Sequence, residues 1–79
     1  MNRKQAEEWQ GKDVKWDWWN FTDNKATLSG GTVIYAKDVV GSIWILNKLT
    51  KGGLCMISQH GNRESISVAP MVLSQWEGK

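Results

Sequence analysis

Turn chemistry interrupts this chain at short, regular intervals, and that spacing leaves few folds open to it. TDNK (residues 22–25), SGG (29–31), TKGG (50–53) and HGNR (60–63) all favour tight reversals. HGNR reads as a hairpin turn, because Gly61 and Asn62 both tolerate positive φ. Between these turns lie the runs KATLS, TVIYA (32–36), SIWILNKL (42–49), LCMISQ (54–59) and ESISV (64–68). They are short, and most are rich in β-branched or aromatic residues, as strands are. In SIWILNKL, period-two alternation predicts Ile43, Ile45 and Leu49 on one face and Trp44 and Leu46 on the other. KDVVG (37–41) reads as a loop. Pro70 ends the ESISV strand, and MVLSQW reads as one tight helical turn or a short last strand.

The beginning of the chain differs. Asn2 is placed to cap a helix over residues 2–10, with Gln5 three residues on, as a capping box requires. Gly11 stops it. Ala6 and Trp9 are its only apolar residues, so it must dock through Trp9. After Gly11 comes VKWDWWNF (14–21), with Val14, Trp16 and Trp18 on one face and Lys15, Asp17, Trp19 and Phe21 on the other. The doubled Trp18-Trp19 breaks the alternation, which predicts either a bulge or a second, partly covered face.

Composition explains why aromatics gather there. A chain of 79 residues makes a single domain, here a helix over 1–11 and a β-barrel over 12–79. A domain that small buries little core. Cys55 is the lone cysteine and His60 the lone histidine, so no disulfide within the chain and no ordinary zinc site can brace it. Six tryptophans enlarge the core instead, each burying roughly 150–250 Å². Trp16 is expected in the core with one of Trp18 and Trp19; the other, with Phe21, is expected to face a partner.

The same inventory narrows the chemistry. Cys55 lies in an alternating strand with no mark of a lowered pKa, and reads as a small packed residue. His60 sits in a turn, exposed, with no carboxylate that the sequence places beside it. The pairs Asp13/Asp17 and Glu7/Glu8 read as solvated charge. SGG and KGG lack the spacing of a phosphate loop. No cofactor or metal is expected. Ten basic against eight acidic residues is not the concentrated footprint of a nucleic-acid binder. Lys12, Lys15 and Lys25 are each matched by Asp13, Asp17 and Asp23. The chain has no run of about 20 apolar residues to span a membrane. MNRKQAEEW does not read as a signal peptide, which with a free cysteine predicts a cytoplasmic protein.

From residue 32 onward, TVIYA, the glycine-led GSIWIL, KGGLCMIS, the HGN turn, SISVAP and the short turn at MVLSQ together resemble a Src-homology-3-like barrel. Among such barrels the spacing is most similar to the small plasmid-encoded type II dihydrofolate reductases. Their functional strand reads Val-Gln-Ile-Tyr-Pro, where this chain has Ile66-Ser67-Val68-Ala69-Pro70. Ser67 and Ala69 replace the glutamine and tyrosine that serve the family's ligands, so the resemblance implies architecture and self-association rather than reductase activity.

The expected architecture is therefore mainly β: a small Src-homology-3-like barrel of five to six short strands with a short N-terminal helix. The expected function is that of a non-enzymatic interaction module acting through an aromatic surface built from Trp18, Trp19, Phe21, Lys15 and Tyr35. Tryptophan and tyrosine dominate interface energetics. The partner is a second copy or another protein. A single-stranded nucleic-acid binder and a reductase-like enzyme are the alternatives. The compact, linker-free style suits a phage, plasmid or gene-cassette protein.

Overall fold

The computed structural model describes residues 1–17, 24–39 and 41–77. Its first helix, α1 (Arg3–Glu8), is capped as the sequence predicts: the Asn2 side chain accepts from the Gln5 N–H, and the Gln5 side chain returns the bond to the Asn2 N–H. Gly11, at φ 83°, lets the chain reverse into the first strand. Ala6 is fully buried, while Trp9 packs against the core only in part. The exposed side of Trp9 carries the Lys12 ammonium 5.2 Å from its ring centroid.

Among the described residues seven strands follow, more than the five or six expected: β1 (Asp13–Trp16), β2 (Lys25–Thr27), β3 (Val33–Tyr35), β4 (Trp44–Leu49), β5 (Cys55–Gln59), β6 (Ile66–Val68) and β7 (Leu73–Gln75). They form an antiparallel five-stranded sheet in the order β6-β5-β4-β1-β7, plus a two-stranded ribbon of β2 and β3. The protein is thus mainly β with a short N-terminal helix. The expected barrel is not closed among the described residues, because β6 and β7 stand at opposite edges and share no ladder. Between them Pro70–Val72 forms a 3-10 turn that leads directly into β7, so MVLSQW supplies both a helical turn and a strand.

The core lies on one face of this sheet. Val14, Trp16, Trp44, Leu46, Cys55, Ile57 and Leu73 are buried there, joined by Leu28 from the ribbon and Val39. The assignment of Trp16 to the core holds, at 3% exposure. Burying about 150–250 Å² of tryptophan contributes about 4–6 kcal/mol of gross hydrophobic stabilisation. That matters when ordering each residue costs about 1–2 kcal/mol.

Two expectations are corrected. The alternation in β4 does not run unbroken: the β4–β5 register shifts between Leu46 and Lys48, leaving Asn47 as an extra residue. Leu49 is thereby carried to the side of Trp44 and Leu46, where it packs against the core, instead of sharing a face with Ile45. The bulged Asn47 turns outward, and its amide donates to the buried Ser58 hydroxyl at 2.9 Å. The second correction concerns KDVVG. Ala36–Val39 form a single helical turn, α2, which buries Val39 and is closed by Ser42 Oγ donating to the Asp38 carbonyl. Burial of Val39, a tertiary term, outweighs the weak local preference of this stretch.

Candidate functional site

Of the exposed large hydrophobic side chains among the described residues, Val33 and Tyr35 lie together on the ribbon, while Leu54 and Met71 lie outside it. β2 and β3 pair Lys25 with Tyr35, Ala26 with Ile34, and Thr27 with Val33. Strand alternation sends Ala26 and Ile34 inward and leaves Lys25, Thr27, Val33 and Tyr35 on the outer face. Val33 is 46% and Tyr35 50% exposed, a large apolar investment for a chain with so little core. Beside Tyr35 an open depression of about 350 Å³ is lined by Asn24, Tyr35, Ala36 and Lys37. Asn24 shapes one wall by adopting φ 54°, a conformation asparagine tolerates better than most residues.

The ribbon is fastened at its tip. Glu64 accepts from the Thr32 N–H at 3.2 Å and from the Thr32 hydroxyl. These bonds, the side-chain one foremost, with a further one from the Gly30 backbone, hold the Glu64 carboxyl below its ordinary pKa. The Ser29 N–H donates to the Ser65 carbonyl at 2.9 Å, and the Ser65 N–H to Ser29 Oγ at 3.0 Å. Gly30 must lack a side chain for the clasp to form, since a Cβ there would stand 2.3 Å from Glu64 Oε1. No sequence signal marked Glu64 for this part, because its partner lies 32 residues away.

Of the residues expected to bind, Trp18, Trp19 and Phe21 lie outside the described residues. Lys15 and Tyr35 are both exposed, but they line different depressions. Lys15 stands across β1–β7 from Ser74, in a depression of about 300 Å³ whose lining includes Gln5, Gln75 and Glu77. Asp17 is not simply solvated: its carboxylate accepts from the Ser74 hydroxyl, and its N–H donates to the Val72 carbonyl at 2.7 Å.

Residues with catalytic chemistry are arranged differently from the sequence expectation in one place. His60 does have a carboxylate partner, with Nε2 2.7 Å from Asp13 Oδ1. Both side chains are about half exposed, at 52% and 42%, and among the described residues no hydroxyl or thiol hydrogen-bonds to His60. Cys55 is completely buried, and burial pushes its thiol pKa up against a weaker opposing pull from the amino terminus. A raised pKa keeps it protonated and poorly nucleophilic. In the strand that resembles the reductase signature, Ser67 is exposed and Val68 buried. Among the described residues no group of three or more His, Cys, Asp or Glu is placed to hold a metal ion. No helix among them is long and apolar enough to cross a membrane.

The chain matches no protein-family model, no curated protein and no solved structure. What fold and site define is a small, mainly β protein with an aromatic, lysine-flanked ribbon fastened to its main sheet.

Proposed function

We propose that this protein is a non-enzymatic interaction module that binds a second copy of itself or another protein through the outer face of the β2–β3 ribbon. The observation that carries this reading is the pair Val33 and Tyr35, both about half exposed, on a ribbon fastened at its tip. A tyrosine on a fixed strand offers a large contact area and loses little entropy on binding. Lys25 directly across from Tyr35, and Lys37 beside it, supply the charged rim that a protein interface places around its apolar centre. The 3-10 turn at Pro70–Val72 leading into β7 supports a Src-homology-3-like arrangement, for which such a last-strand junction is the expected ending. The buried, unpaired Cys55 suits a reducing, cytoplasmic setting.

The test is selection of binders from a random peptide library, together with solution mass over a wide concentration range. Tyr35→Ala is expected to leave the circular-dichroism spectrum unchanged and to weaken the selected binders, or self-association, about tenfold or more. A strictly monomeric protein whose selected binders ignore Tyr35→Ala and Val33→Ser overturns the reading.

A further inference from the structure

The ribbon carries an unused edge as well as an exposed face. Within it the Leu28 N–H donates to the Thr32 carbonyl at 2.8 Å and the Ala36 N–H to the Asn24 carbonyl at 3.0 Å. The bonded rows are therefore 24–36, 26–34 and 28–32, and rows 25–35 and 27–33 are the non-bonded ones. It follows that the Val33 N–H, the Val33 carbonyl and the Tyr35 N–H point away from β2. Among the described residues β3 has no other strand neighbour, and no backbone group outside the ribbon pairs with these three.

The outer edge of β2 is equally without a strand neighbour among the described residues, but it carries Lys25, a charge of the kind that blunts an edge; the edges of the main sheet are partly tied. On β7 the Leu73 carbonyl accepts from the Met1 backbone nitrogen, and the chain just before β6 is tied to Ser29. Proteins usually blunt a free edge, because it is a template for strand addition. β3 is only three residues long, which itself limits an edge, but it has no proline, no charged residue and no bulge.

Charge indicates what would pair there. Residues 24–37 contain Lys25 and Lys37 and no aspartate or glutamate. Of the nearby acids, Glu64 is hydrogen-bonded to Thr32 and Gly30 at the far, tip end of the ribbon, Asp38 follows Lys37 on α2, and Asp23, beside Asn24 in the chain, lies outside the described residues. We propose that the free edge of β3 takes up an extended, acidic peptide segment of another protein as a third strand of the ribbon. This rests on the interaction-module reading and narrows it. Backbone bonds to Val33 and Tyr35 fix the register of the added strand. Apolar side chains on its outer face pack beside Val33 and Tyr35, and carboxylates reach Lys37 and Lys25.

The probe is the capped hexapeptide Glu-Val-Glu-Val-Glu-Val, titrated against the intact protein by amide NMR. Saturable binding should shift the Val33 and Tyr35 amides most. The Lys-Val counterpart should bind about tenfold more weakly or worse, and raised salt should weaken the acidic peptide. Val33→Pro removes an N–H that the fold does not use, so binding should fall about tenfold or more while the spectrum of the core persists. If that variant unfolds, a probe N-methylated at alternate residues takes its place and should fail to bind. Binding lost in Tyr35→Ala but kept in Val33→Pro, or with the N-methylated probe, overturns strand addition and leaves the aromatic-surface reading standing. Equal binding of both peptides, preference for an oligothymidylate, or a solution dimer that occupies β3 each overturns the acidic segment.

Discussion

Trp16 of β1 and Trp44 of β4 meet edge to face at the centre of the core, with ring centroids 5.0 Å apart and planes at 90°. This geometry sets the positive edge of one ring against the negative face of the other, and such pairs contribute about 0.5–1.5 kcal/mol beyond burial. The Trp44 indole nitrogen is buried without a hydrogen-bond partner among the described residues, so its ring is held by packing alone. Trp44→Ala is expected to cost about 3–5 kcal/mol in urea unfolding, much of what a domain this size has. Trp44→Phe should cost clearly less, since it keeps a ring and removes the unpaired N–H. Equal losses in the two variants would mean that the N–H makes a bond the protein depends on.

The Glu64 clasp predicts a specific acid response. Its carboxyl is depressed in the folded state, so its contribution is fully present above the ordinary glutamate pKa of about 4.3 and is lost as pH falls through the lower folded value. Stability and the ribbon-tip amide shifts of Gly30 and Thr32 should both change below about pH 4.3 in the wild type. Glu64→Gln should remove the tip's share of that change. An identical acid profile in the variant would assign the response to other carboxylates.

Gly30→Ala attacks the same clasp from its other side, because the added methyl displaces the Glu64 side chain. The two sites act as one unit. Gly30→Ala combined with Glu64→Ala should therefore destabilise less than the sum of the single changes. Strict additivity in thermal unfolding would separate them.

Asn47 is the surplus residue of β4, and every other cross-strand pair is defined without it. Deleting Asn47 should leave a folded protein that loses about 1 kcal/mol with the bond to Ser58. Deleting Met56 from the unbulged β5 shifts the register of its neighbours and exchanges inner for outer faces, which should abolish folding. Circular dichroism and thermal melts of the two deletions decide the point.

Cys55 should resist thiol reagents in the folded protein and react fully in denaturant, as its burial and raised pKa require. Cys55→Ser should keep peptide binding and cost about 1–3 kcal/mol, the price of a hydroxyl placed in an apolar site. Rapid labelling of the native thiol would show that the core opens around it.

Local chemistry alone settled the capped α1, the hairpin turns at SGG, TKGG and HGNR, the core assignment of Trp16 and the mainly β class, while the turn expected at TDNK falls partly outside the described residues. Caps, turns and period-two alternation act over a few neighbouring residues, so each is legible wherever it occurs. The tertiary structure decided the rest, through groups far apart in the chain. Leu49 turns inward because β4 must match β5 across a bulge, and a bulge at Asn47 leaves no local mark. Ala36–Val39 become helical because Val39 has a core to enter. Asp13 finds His60 47 residues on, Glu64 finds Thr32, and Lys15 and Tyr35 part to separate depressions. Such meetings depend on which strands lie side by side. That order is fixed by the summed burial of the whole sheet, to which no single segment holds the key.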